Sequence, residues 1–442
     1  MAVPGQRNKL LLESIPIPFL IALFVVFMGV VGVIASVSSF YPDMYENYET
    51  RKEFSEVFSG KKTIEVSIED LSTLNQEISF SLVMIPRKDI VSQTGFTTNL
   101  MLRTKTYTSG QTGEYETAKS RKIVCNQLNE KVCDASLLFK EPWIKMADSL
   151  INLEFVDNPQ SVIDLFEPKF DLLFSYISQS HSLLEITTRY LFLAISLSFL
   201  ILFVLVNRMR QHFNCWHDEQ RWVAVLLAGL VAFNNPFYIL QYYASTEFFT
   251  ILNITLRVSF ILLMMLWLLF FTHGLYVQPK DRSFAFYYVP KVAVILLLWI
   301  MSMFSFTYAT ERNIQDPTYS YKDDFQEFSY IQASSVTLTI IYLLMLGYYV
   351  LRTFGLYDML PVKFTGRFKI VWGMTILVVV ASTITLLALK TLHLLTQAMI
   401  YLSFQSIFNM YVCLLSLVFL ASNQPETVRD MSDVPLVGVE DD

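Results

Sequence analysis

Residues 249–275, FTILNITLRVSFILLMMLWLLFFTHGL, hold one charged side chain, Arg257, in 27 positions. About 20 mostly apolar residues suffice for a helix to cross a bilayer, so this stretch is long enough with residues to spare. Seven further runs have the same character: Ile15–Val37, Ile186–Val206, Trp222–Leu240, Val289–Ala309, Ile331–Leu351, Phe368–Leu389 and Thr396–Leu420. A mean hydropathy of +0.43 with 16% charged residues agrees, and excludes an ordinary soluble chain of this length. The fold class expected is membrane α-helical with eight spans.

Basic residues in short loops are retained on the cytoplasmic side. Loops 207–221, 276–291 and 352–369 hold ten Lys or Arg between them, and loops 241–248, 310–330 and 390–395 hold three. With Arg7 and Lys9 inside as well, residues 1–14 and the tail 422–442 are expected in the cytoplasm, and residues 41–184 in the lumen or outside the cell. The first span, within residues 15–40, has an apolar run of 23 residues. That exceeds the roughly 7–15 of a signal-peptide core, so an uncleaved signal-anchor is expected.

Residues 41–184 change period. Lys61–Asp70 alternates Ile64, Val66 and Ile68 with Thr63, Glu65 and Ser67, the pattern of a half-buried strand. Asn75–Ile85, Thr97–Thr108, Lys119–Cys125 and Ser149–Asp157 repeat it, with turn residues such as Gly95 and Ser109-Gly110 between them. An antiparallel β-sandwich is expected, followed by a more helical Ser161–Ser182. Cys125 and Cys133 are close enough to close a short disulfide loop in an oxidising lumen, whereas Cys215 and Cys413 should stay reduced.

No catalytic motif stands out. The five histidines, His181, His212, His217, His273 and His393, are scattered, with no two on one helix at ligand spacing. His212 and His217 read as polar surface of a short loop, and His273-Gly274 as a helix stop. No enzyme activity, metal, cofactor or nucleic-acid partner is expected.

Polarity inside the spans is more informative, because an Arg at a span's centre costs roughly 2.5–3.5 kcal/mol on insertion scales. Arg257 is eight residues into its span, with Asn253 one turn earlier. Asn234-Asn235-Pro236 interrupts the third span, where Pro removes a backbone hydrogen bond. Gln405 and Asn409 share a face of the last span, with Gln397 two turns before Gln405. These residues are candidates for one polar cavity opening to the lumen; Asn and Gln in spans also serve simply to tie helices together. The tail 424–442, with six acidic residues against one Arg, reads as disordered and suited to sorting adaptors.

Glu219-Gln220-Arg221-Trp222, Phe233-Asn234-Asn235-Pro236-Phe237, His273-Gly274, Pro290-Lys291, Asp316-Pro317-Thr318-Tyr319 and Phe408-Asn409-Met410-Tyr411 occur in an order that resembles the transmembrane protein 181 family. That family is similar to Wntless, the carrier of lipid-modified Wnt proteins, and to the wider Golgi-dynamics-domain seven-helix group. The resemblance implies a lumenal β-sandwich before a seven-helix bundle shaped like a G-protein-coupled receptor (residues 185–421), with a cavity able to open to the bilayer. It also implies trafficking through Golgi, endosomes and plasma membrane. Where the family motif usually has Asp after the first Asn, this chain has Asn235, which puts a charge partner for Arg257 in question.

Three functions compete. The first is a trafficking receptor holding a secreted or lipid-modified protein cargo, with membrane lipids as further partners. The second is an ion channel or transporter with a polar intramembrane path, against which the cytoplasmic halves of the spans read as nearly all apolar. The third is a G-protein-coupled receptor, against which the chain lacks an Asp-Arg-Tyr-like triplet and an Asn-Pro-x-x-Tyr motif.

Overall fold

A computed structural model describes residues 8–11, 45–53, 63–68, 78–86, 96–108, 115–125, 136–141, 149–155, 166–244, 247–277, 282–315, 325–356, 362–392 and 397–425, with isolated positions between them. The first span lies mostly outside these residues; those described within it, among them Val25, Val26 and Val33, are helical and exposed.

The segment before the bundle forms two four-stranded antiparallel sheets. One has the order β2 (Tyr45–Glu53), β9 (Phe166–Ile177), β4 (Ile78–Pro86), β7 (Ser136–Glu141). The other runs β3 (Thr63–Ile68), β8 (Ser149–Phe155), β5 (Phe96–Thr108), β6 (Tyr115–Cys125). In the first sheet the period of two puts one face in a core. Phe80, Leu82 and Met84 pair across the ladder with Phe174, Leu172 and Phe170, all buried, and the rings of Phe80 and Phe174 lie 4.6 Å apart. The second sheet's side chains lie outside the described residues, and with them the face-to-face packing of a sandwich.

One sequence expectation changes here. Ser161–Ser182 is not mainly helical: Phe166–Ile177 is the central strand β9, because β2 and β4 satisfy its backbone on both sides. The last strand before the bundle ends at Ile177. Cys133 is disulfide-bonded; the side chain of Cys125 lies outside the described residues. Cys215 and Cys413 are free.

Helix α1 (Gln179–Arg210) starts where Ser178, at the N-cap, accepts a hydrogen bond from the His181 amide at 3.1 Å. Its first turn is tied to the strands: the Ser182 hydroxyl donates to Leu74 O at 2.6 Å, and Asn75 Nδ2 donates to Ile177 O at 2.8 Å. There follow α2 (Asp218–Phe233), α3 (Leu240–Ala244), α4 (Glu247–Gly274), α5 (Val289–Gln315, entered through a turn of π-helix), α6 (Phe325–Gly355), α7 (Val362–Leu392) and α8 (Gln397–Val418).

Six helical stretches among the described residues are long and apolar enough to cross a membrane: 179–210, 248–274, 284–312, 329–355, 366–383 and 401–418. The third span is broken at Asn234-Asn235-Pro236, where the sequence places an interruption. Helix α2 ends at Phe233, Asn235 takes φ 50°, and α3 begins at Leu240. Asn is one of the few residues that tolerates this left-handed conformation. Its Oδ1 accepts from the Phe237 amide at 3.1 Å, a closed turn around Pro236, which has no N–H of its own.

Helix α8 is central, with most of its span buried, whereas α5 and α6 are mostly exposed. The core of α2, α4 and α8 comprises Leu226, Leu227, Phe260, Trp267, Val412 and Leu415. Helices α2 and α4 approach at Gly229, where a Cβ would meet Leu263 Cδ2 at 2.8 Å and Phe260 at 3.4 Å. Gly229→Leu is expected to destabilise the protein by about 1–3 kcal/mol through overpacking, read as a lowered melting temperature in detergent, with Gly229→Ala much milder because the Leu263 tip can rotate away.

Strands from before the first span and after the last helix meet. β1 (Asn8–Leu10) pairs antiparallel with β10 (Ala421–Pro425), and Leu10 is fully buried. The ribbon sits on a buried amide cluster. Gln220 Oε1 accepts from Gln211 Nε2 at 2.7 Å and from the His217 amide at 3.0 Å; its Nε2 donates to Asn207 Oδ1 at 3.2 Å and to Phe419 O at 3.1 Å. Asn207 Oδ1 accepts from the Ala421 amide at 2.8 Å. Asn8 Nδ2 donates to Arg210 O at 3.1 Å, and the His217 ring lies 3.2 Å from Asn8 O. The first residues of the tail are thus a strand and not disordered, and His217 is a buried residue rather than polar surface. Residues 426–442 lie outside the described set. β1 lies at the C-terminal end of α1, whereas β2 pairs with the strand that enters α1 at its N-terminus, so residues 11–44 join opposite ends of a 32-residue helix.

Candidate functional site

The polar residues of the spans gather at the end of the bundle next to the strands. Glu185 and Arg189 stand four apart on α1, and Asn253 and Arg257 stand four apart on α4, so each pair shares a helix face. Glu185 Oε1 lies 2.7 Å from Arg189 Nη2, 3.1 Å from Arg189 Nε and 3.1 Å from Arg257 Nη2. Arg189 is fully buried. Its remaining amine, Nη1, donates to Asn253 Oδ1 at 2.9 Å, and its guanidinium lies 3.7 Å from the centre of the Tyr238 ring. Tyr401, on the first turn of α8, stands within 6 Å of both guanidiniums: 5.9 Å from Arg189 and 5.7 Å from Arg257. A buried arginine is tolerated because it has a carboxylate, an amide oxygen and an aromatic face around it.

Asn235 Nδ2 donates to Asn253 Oδ1 at 3.3 Å, which links the broken turn to the arginine cluster. The question raised by Asn235 is thereby answered: the partner of Arg257 is Glu185, not residue 235. Arg257 is the accessible member, with about a third of its side chain exposed and its Nε–H without a partner.

Asn234, Gln405 and Asn409 form a separate knot. Gln405 Nε2 donates to Asn234 Oδ1 at 2.6 Å and Asn409 Nδ2 donates to the same oxygen at 3.1 Å, while Asn234 Nδ2 reaches Asn409 Oδ1 at 2.8 Å and Ser196 Oγ at 3.2 Å. All three amides are buried and spend their hydrogen bonds on one another, which ties α1, the end of α2 and α8 together. Pro236 is exposed and its carbonyl accepts from Tyr190 Oη at 3.1 Å. Gln397 opens α8, and its side chain lies outside the described residues.

Glu185 and Arg189 are not among the residues the sequence singles out, because Glu185 precedes the apolar run that begins at Ile186 and Arg189 falls inside it. The signal available was the Glu-to-Arg spacing of four. Polar groups also sit at the opposite end, within loops 207–221, 276–291 and 352–369: Glu219 pairs with buried Arg367 at 3.3 Å, and Asp218 with Arg282 at 2.7 Å. Buried Lys291 lies over the Tyr287 ring at 3.8 Å, and α4 ends at Gly274 as expected.

Residues 178–423, which take in α1 through α8, match the family model for the Wntless-like transmembrane domain. The chain belongs to the Wntless-like family. It is also 26% identical to human Transmembrane protein 181 over 269 residues, 58% of this chain and 55% of that protein, so it spans about half the length of this relative. Membership makes the six apolar helices those of an integral, multi-pass membrane protein. Both arginine-cluster helices, the broken turn and the amide knot fall within the Wntless-like domain, whereas the two sheets lie before it.

Proposed function

We propose that this Wntless-like protein is a trafficking receptor of the secretory and endocytic membranes, holding a secreted or lipid-modified cargo through its strand domain and the adjoining end of its bundle. In this reading both termini are cytoplasmic, the strands are lumenal, residues 15–40 form the anchor span and the acidic tail meets sorting adaptors. The observation that carries the proposal is the placement of Glu185, Arg189 and Arg257. Glu185 and Arg189 lie two to three turns along α1 from its junction with the strands, with Arg257 of α4 paired to Glu185, at the end of the bundle a strand-bound cargo would reach. The pairing of β1 with β10 at the far end supports a chain that crosses once between β1 and the strand domain.

The channel reading finds less support. Along α2 the polar ends at Gln220 and Asn234 are about 21 Å apart by helical rise, and Val223, Leu226, Leu227 and Leu230, buried between them, give no polar lining.

The test is to purify tagged protein in mild detergent from cells and identify bound lipids and secretory proteins by mass spectrometry, comparing wild type with Arg257→Leu. A defined species retained by the wild type and lost by the variant is the expected result. Matching profiles containing only bulk lipid overturn the proposal.

A further inference from the structure

The cluster at the strand-side end of the bundle carries more cation than anion. Two guanidiniums share one carboxylate: among the described residues, Glu185 is the one acidic group within 4 Å of Arg189 or Arg257. The surplus is matched by surplus donors. Arg257 Nε–H and Tyr401 Oη–H are both buried without an acceptor. One turn before Glu185, His181 is buried with both ring nitrogens unpartnered, and its ring is 6.4 Å from that of Tyr401. The remaining neighbours, Asn235, Asn253, Tyr238 and Tyr242, bring no negative charge; Asn253 Oδ1 is already taken by Arg189 and Asn235. Beside the cluster, Leu184 and Leu402 pack with Tyr401 into an apolar patch.

Buried donors left without acceptors cost free energy comparable to a lost hydrogen bond. The arrangement also keeps Arg257 partly open while Arg189 is sealed. We infer that Arg257 and Tyr401 form a binding site for a singly charged oxyanion, a carboxylate or phosphate, with Arg257 as the contact residue and Glu185 and Arg189 holding it in place. An oxyanion carried on an acyl chain in the bilayer and a free anion would use the same donors. The inference rests on this end of the bundle being a ligand site, and not on the trafficking role.

Purified full-length protein in nanodiscs should be titrated with oleate, oleyl alcohol, acetate and inorganic phosphate, with binding read by calorimetry. Oleate is expected to bind and oleyl alcohol not to. Saturable binding of acetate or phosphate as well would assign the site to free oxyanions, and weak binding of both would assign it to the amphiphile. Arg257→Gln should weaken the bound oxyanion about tenfold or more, the loss of one charge-assisted hydrogen bond. Asn235→Asp should do the same without touching the contact residue, since a carboxylate beside Asn253 brings the site's net charge to zero and Asp also accepts the left-handed turn. Both variants are checked for an unchanged elution profile and melting temperature. The inference is overturned if no oxyanion binds, if oleate and oleyl alcohol bind alike, or if a folded variant of either kind binds as the wild type does. The carrier proposal fails separately, on co-purification from cells.

Discussion

Replacing Glu185 with Ala is expected to destabilise the bundle by about 3–5 kcal/mol, the loss that follows when a buried ion pair is cut from one side. Glu185 Oε1 is the acceptor for three N–H groups of two arginines. Without it, Arg189 stays fully buried with Asn253 Oδ1 and the rings of Tyr238 and Tyr401 around it, none of which carries a negative charge. The same substitution at Arg257 is expected to cost far less, because that side chain is partly exposed and its removal leaves Glu185 paired with Arg189. Melting curves in detergent check the contrast. Equal stability of Glu185→Ala and wild type would mean that water already reaches Arg189. The double variant Glu185→Leu with Arg189→Leu is expected to recover most of the lost stability, since paired removal leaves no uncompensated charge.

Gln220→Ala is expected to cost about 3 kcal/mol at the opposite end of the molecule. The side chain is fully buried and makes four hydrogen bonds, to Gln211, His217, Asn207 and Phe419. Truncation leaves several of these groups buried without a partner, at about 1–3 kcal/mol each before relaxation. Because Asn207 also receives the Ala421 amide, the loss should spread to the ribbon that joins β1 to β10. Hydrogen exchange reads this directly: the Leu11 amide, which donates to Leu420 O at 2.7 Å, should exchange faster in the variant, while amides in the strand segment stay as they were. Unchanged protection at Leu11 would show that the ribbon holds without the amide cluster.

Much of the architecture was legible because its causes are local. Six apolar runs announced helices of membrane-spanning length, and the alternation in Lys61–Asp70 announced β3. Asn234-Asn235-Pro236 announced a break, since proline's missing N–H and asparagine's tolerance of positive φ act within a few residues. Arg257 was marked out by cost alone. Its partner was not, because Glu185 is 72 residues away and became a partner only when α1 and α4 packed side by side.

Segments with two competing local readings were also settled from outside. Phe166–Ile177 has enough apolar residues for a helix, and became a strand because β2 and β4 supply hydrogen bonds from more than 80 residues earlier in the chain. The first tail residues, polar and unremarkable, became a strand because β1 lies alongside them.

What the sequence determined by itself was the membrane class, the position of most helices, the period of the strands and part of the list of polar groups that a bilayer would penalise. Each follows from the solvent preference or backbone geometry of neighbouring residues. Only the tertiary structure decided how those groups were distributed. It closed Asn234, Gln405 and Asn409 into a knot, set two arginines against one carboxylate and paired β1 with β10, because a buried polar group must find its partner in whatever helix packing brings nearest.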